Sequence, residues 1–68
     1  MKMVPVASRS IAAIGYENGA LRISFRNGSL YEYRGVPAQV VQALLCSASK
    51  GSFYARFIKG RWPSIRLA

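Results

Sequence analysis

Lys50, Arg56, Lys59, Arg61 and Arg66 crowd the chain from residue 50 onward, interleaved with Phe53, Tyr54, Phe57 and Trp62. Cations so placed neutralise phosphates and release their counterions, and aromatic faces between them accept stacked bases. The chemistry on offer is recognition of a polyanion. Arg22 and Arg26 make a second cationic row, and Arg34 follows it. Ten Lys or Arg stand against two carboxylates, Glu17 and Glu32, for a net charge of +8. That is the top of the ~2–8 range of a small domain, with almost no acidic balance. The blander reading makes the cations a solvated face and puts Phe53 and Phe57, spaced i, i+4, in the core. The charge excess favours an anionic partner, contacted through Arg22, Arg26, Arg34, Lys50, Arg56, Lys59, Arg61 and Trp62.

Catalytic chemistry finds few groups to use. With no His among the 68 residues, a Ser-His-Asp triad, a Cys-His pair and a His metal site are all excluded. Two carboxylates cannot build a calcium or magnesium cage. Lys50 has no nearby acid to make it a general base or Schiff-base lysine. Ser49-Lys50-Gly51-Ser52 reads as a small anion-binding turn, Gly permitting a backbone nest at a helix start. It lacks the upstream glycine and the spacing of a P-loop. The expectation is a protein that is not an enzyme and uses no cofactor, metal or small-molecule substrate. Cys46 forms no disulfide and, among Ala, Leu and Val, reads as a small buried hydrophobe, which suits a reducing cytoplasm. Neither a secretory leader nor an apolar run of ~20 residues is present, so membrane insertion is not expected.

The elements that must position these groups follow from turn chemistry and periodicity. Asn18-Gly19 and Asn27-Gly28 are hairpin signals, both turn positions taking positive φ. Ile11 to Tyr16 reads as a strand. Leu21, Ile23 and Phe25 alternate with Arg22, Ser24 and Arg26, apolar on one face and basic on the other. Tyr31 and Tyr33 point together, opposite Leu30 and Glu32, toward the covered face with hydroxyls at its rim. Pro37 then opens a helix at its favoured first position, with a stripe of Val40, Val41, Leu44, Leu45 and Ala48. Ser47 to Gly51 closes it, glycine serving as cap or turn. Ser52 caps a short second helix that turns Phe53, Phe57 and Ile58 inward and ends at Gly60 and Pro63. The tail from Arg61 shows no clear period. The predicted architecture is α+β: a three- to four-stranded antiparallel meander with one or two helices packed on one face. Met3 to Val6 supplies the optional strand, at an edge because of Pro5. One domain spans 1–68, its core about 10–63, with a basic C-terminal tail.

Ile14-Gly15-Tyr16, the Asn-Gly turns, Tyr31-Glu32-Tyr33, Val36-Pro37, Leu44-Leu45, Ser49-Lys50-Gly51 and Ile58-Lys59 occur here in one order and spacing. This ordered set, centred on Tyr-x-Tyr, resembles the KTSC domain from about Ser10 to Pro63. That family is named for a lysyl-tRNA synthetase C-terminal domain and also occurs as free-standing small proteins of bacteria and phages. The resemblance implies RNA binding. One departure stands out: where the family carries Asn after its aromatic pair, Phe53-Tyr54 is followed by Ala55.

Two functions fit these features. The first is a small basic regulator of gene expression, phage or accessory-gene encoded, docking on bacterial RNA polymerase or nascent RNA to inhibit initiation or cause antitermination. Compact basic phage proteins of this size supply the analogy. The alternative is a stand-alone RNA-binding accessory module like the synthetase-appended domain. A membrane-active role fits less well, because Gly60 and Pro63 break the basic segment.

Overall fold

In the computed structural model, which describes residues 1–68, the chain runs β1 (Val4–Pro5), β2 (Ile11–Glu17), β3 (Ala20–Phe25), β4 (Leu30–Arg34), α1 (Ala38–Cys46), α2 (Lys50–Phe57) and β5 (Ser64–Arg66). The five strands form one antiparallel sheet whose spatial order is the chain order. The α+β class matches expectation; the strand number is five rather than three or four. The added strand is β5, three exposed residues that pair Ile65 with Glu32 at the β4 edge. Pro5 does sit in an edge strand, β1, where a missing N–H costs no ladder bond.

The two hairpins are built differently. Asn18 and Gly19 both take positive φ, 51° and 81°, as a two-residue turn between right-twisted strands requires. In the second, only Gly28 is left-handed, at 95°. Asn27 instead turns its side chain back, its Oδ1 accepting from Ser29 N at 3.0 Å and from Ser29 Oγ at 2.7 Å. An asparagine that bonds the backbone two residues on satisfies the turn without leaving the common φ range.

Alternation then sorts the sheet into two faces. Ile14, Ile23 and Tyr31 lie side by side on one face, as do Tyr16, Leu21 and Tyr33. The helices cover this face: Ile11, Ile14, Leu21, Ile23, Tyr33 and Val36 pack with Val41, Leu44 and Ile58. The other face carries Gly15, Arg22, Glu32 and Ile65 in one row. The N-terminal residues pass close over Gly15, where a Cβ would stand 2.6 Å from Met3 Sδ and 3.0 Å from Lys2 O.

Several helix details differ from expectation. Pro37 lies just before α1, in extended conformation, and its carbonyl receives the Val40 and Val41 N–H groups. α1 ends at Ser47, without glycine. Ser52 is inside the first turn of α2 rather than before it, and Ser49 occupies the cap position without a side-chain cap bond. Only Val41 and Leu44 of the α1 stripe are fully buried, and Leu45 is 38% exposed. Cys46, read as a buried hydrophobe, is exposed. A stripe with two adjacent apolar positions per turn is wider than the sheet can cover, so its outer members face water. Phe57 likewise points outward, 49% exposed, and rests on Phe53 with ring centroids 4.9 Å apart, while Ile58 beside it is fully buried.

Candidate nucleic-acid interface

The expected contact residues do not form one surface. On the uncovered face, Arg22 Nε donates to Glu32 Oε1 at 2.7 Å and Arg34 Nε to Oε2 at 3.0 Å. The carboxylate is buried between them. This pairing follows from the hairpin register, which sets Arg22 directly opposite Glu32. That register belongs to a three-residue loop, Arg26 to Gly28, closed by Phe25 N donating to Ser29 O at 2.8 Å; a two-residue Asn27-Gly28 turn would have set Arg22 opposite Tyr33 instead. Arg26 is engaged as well, donating to Ser8 O at 2.7 Å and Val6 O at 3.3 Å, so it ties the N-terminal segment to the second hairpin.

The Arg22 hydrogen bond, with help from Arg34, holds the Glu32 carboxyl below its ordinary value of 4.5, against the opposing effect of burial. Folding therefore favours the ionised form. That stabilisation is complete above the ordinary glutamate range and is lost as pH falls through the lowered folded value. The thermal midpoint is expected to drop on acidification below about pH 4.5. Glu32→Gln should lower the midpoint at neutral pH and flatten the acid limb, and scanning calorimetry over that range reads both. An acid limb unchanged by Glu32→Gln would place the proton uptake elsewhere.

The second cationic group is free of acids. Lys50 and Arg56 lie on α2, Lys59 and Arg61 follow it, and no Asp or Glu occurs after Glu32. Both carboxylates are committed elsewhere, Glu32 to Arg22 and Arg34 and Glu17 to the Met1 ammonium at 3.5 Å. Arg61 reaches back to Arg56 O at 3.3 Å. Lys50 stands apart at the start of α2, about 12 Å from its end, donating to Ser47 O at 3.2 Å. It borders a polar cavity of about 590 Å³ with Arg9, Ser8, Ser10, Ser49 and Ser52. Gly51 there has no left-handed φ and so forms no nest. Its role is close approach, a Cβ on it falling 2.6 Å from Ser10 Oγ.

A cleft that composition did not reveal opens beside Lys59. Phe25, Tyr31, Tyr33 and Tyr54 line it together with Asn27 and Lys59, in a volume of about 360 Å³. Its rings come from three elements, β3, β4 and α2, and meet mainly edge to face: Phe25 on Tyr54 at 5.2 Å, Phe25 on Tyr31 at 6.0 Å and Tyr33 on Tyr54 at 5.8 Å. Tyr33 is core, as expected, with its hydroxyl bonded to that of Tyr54. Burial, then this bond, pushes the Tyr33 phenol well above its usual range. Tyr31 is half-buried, and the Arg66 guanidinium lies 5.9 Å from its ring centroid, a cation–π distance. Trp62, expected as a contact, is half-buried and packs against the core. The signals for the cleft were the inward parity of Phe25 and Tyr31 and the Asn27 turn, each legible locally but joined only by the fold.

The architecture is that of a small α+β domain, a five-stranded meander with two helices on one face and a basic, aromatic-lined margin. The chain belongs to the KTSC domain family, whose profile matches residues 7–62. A crystal structure of a KTSC domain protein from Yersinia pestis superposes with a TM-score of 0.93 at 37% identity, over 98% of this chain and 97% of that one. A protein of Stutzerimonas stutzeri is 41% identical over 61 residues, 87% of this chain and 86% of its own length. A lysine–tRNA ligase of Nostoc is 41% identical over 60 residues, 85% of this chain but 11% of the ligase. The chain thus corresponds to about a tenth of that enzyme. No helix is long and apolar enough to cross a membrane.

Proposed function

We propose that this chain is a stand-alone RNA-binding module of the kind carried within lysine–tRNA ligases. The observation that carries the reading is the similarity to a 60-residue segment of a ligase whose substrate, by its name, is a tRNA. The charge distribution supports it: Arg56, Lys59 and Arg61 form a cationic margin with no carboxylate in the two helices or after them. Binding works by neutralising phosphates, not by bond chemistry, and the module adds RNA affinity wherever it is placed. Docking on RNA polymerase draws no support from these relatives and is the competing outcome.

The test is fluorescence anisotropy with a labelled tRNA transcript, repeated with bacterial RNA polymerase in its place. If about three phosphates are neutralised, raising salt from about 50 to 200 mM should weaken tRNA binding roughly 20- to 40-fold. Absence of tRNA binding alongside salt-tolerant polymerase binding would reverse the two readings.

A further inference from the structure

The geometry points to the cleft between Phe25, Tyr31 and Tyr54 as a pocket for one unpaired nucleobase, with Lys59 at its mouth for the adjoining phosphate. This rests on the RNA-binding reading and adds to it the strandedness of the RNA. The volume of about 360 Å³ is at the lower end of the ~300–1,000 Å³ of small-ligand sites, which suits a single planar group better than a peptide or a helix. Aromatic lining gives a base the stacking contacts that replace those it loses on leaving a strand. A base inside a duplex cannot present its face to such a wall, so the cleft selects for single strands and loops.

Asn27 gives the cleft a fixed polarity. Its Oδ1 receives the Ser29 N–H, a donor that only an oxygen can accept, so the orientation of the carboxamide is determined by chemistry. Ser29 Oγ occupies the same oxygen. The Asn27 Nδ2 group remains with its two donors for acceptor atoms on a base edge, the carbonyl oxygens and ring nitrogens of an unpaired base. Tyr31 brings a hydroxyl that has no hydrogen-bond partner within the chain, unlike those of Tyr16, Tyr33 and Tyr54. Lys59 makes no ion pair. Aromatic walls, outward donors and an uncommitted cation are what a nucleotide presents surfaces for: a π-face, an acceptor edge and a phosphate.

The experiment compares three labelled RNAs: a single-stranded decamer, its duplex, and the same single strand with abasic sites at its central positions. The single strand is expected to bind at least about tenfold tighter than either of the others. Tyr31→Leu should weaken the single strand roughly 5- to 100-fold while leaving the abasic strand unchanged, with near-ultraviolet circular dichroism confirming the fold. Asn27→Asp keeps the acceptor for Ser29 and removes the donors, so its loss should be larger for the base-bearing strand than for the abasic one. Equal binding of all three RNAs, or equal losses with and without bases, overturns the base pocket and leaves the RNA-binding module standing. Failure of every RNA to bind overturns both.

Discussion

Truncating Ile23 or Leu44 to alanine is expected to cost about 2–5 kcal/mol at each site. Both side chains are completely buried, one at the centre of the sheet and the other on α1 facing it. Removal of their methyl groups leaves a void that rigid strand and helix backbones fill only in part. A chain of 68 residues has a total stability of about 3–10 kcal/mol, so either variant is expected to lose a large part of it. Leu45→Ala is the internal contrast: at 38% exposure it should cost less than ~1 kcal/mol. Urea denaturation monitored through Trp62 fluorescence measures all three. Losses below ~1 kcal/mol at both Ile23 and Leu44 would mean that the helices do not cover this face.

Reversing two charges at the end of α2, Arg56→Glu with Lys59→Glu, should weaken tRNA binding on the order of 100-fold near 50 mM salt. Each change removes a cation and adds a repelling anion, and both side chains are exposed, so stability should move by less than ~0.5 kcal/mol per site. The choice of comparison matters. Arg22→Glu with Arg26→Glu, a natural choice from the sequence, would set a carboxylate against the buried Glu32 and release the N-terminal segment from Arg26. Lys2→Glu with Arg9→Glu alters net charge equally without breaking an ion pair. A similar loss from both pairs would show that overall charge governs binding and that the α2 margin is no site.

The meander was legible because its signals are local. Asn18-Gly19 fixes a turn by backbone conformation alone, and the alternation of Leu21, Ile23 and Phe25 assigns a face by parity. β5 was not legible: Ser64-Ile65-Arg66 has one β-branched residue and is held by pairing with a β4 edge that needed a neighbour. Cys46 was misplaced because an i, i+1, i+4, i+5 stripe does not say which member is central. At the candidate interface, the run from Arg56 to Arg61 stood out as a density of charge. The loss of Arg22 and Arg34 to Glu32 did not, because it depends on cross-strand register. The aromatic cleft unites residues up to thirty-nine positions apart, Phe25 to Ser64, and no window of sequence contains it.

β5 also divides the molecule in time. β2, β3 and β4 join through short turns, whereas β4 meets β5 only after both helices have been laid down. Closing the longer loop costs more entropy, and three exposed residues with backbone bonds from Pro63 to Ala68 return only part of it, so this clasp is expected to form late and open first. Ile58, fully buried, pins the end of α2 and confines the opening to the stretch from Gly60 onward. That stretch supplies Gly60 and Ser64 to the cleft, while Phe25, Tyr31 and Tyr33 stand on the persistent meander. Release of the clasp would therefore move only the Gly60 and Ser64 rim of the cleft, leaving the Phe25, Tyr31, Tyr33 and Tyr54 walls in place.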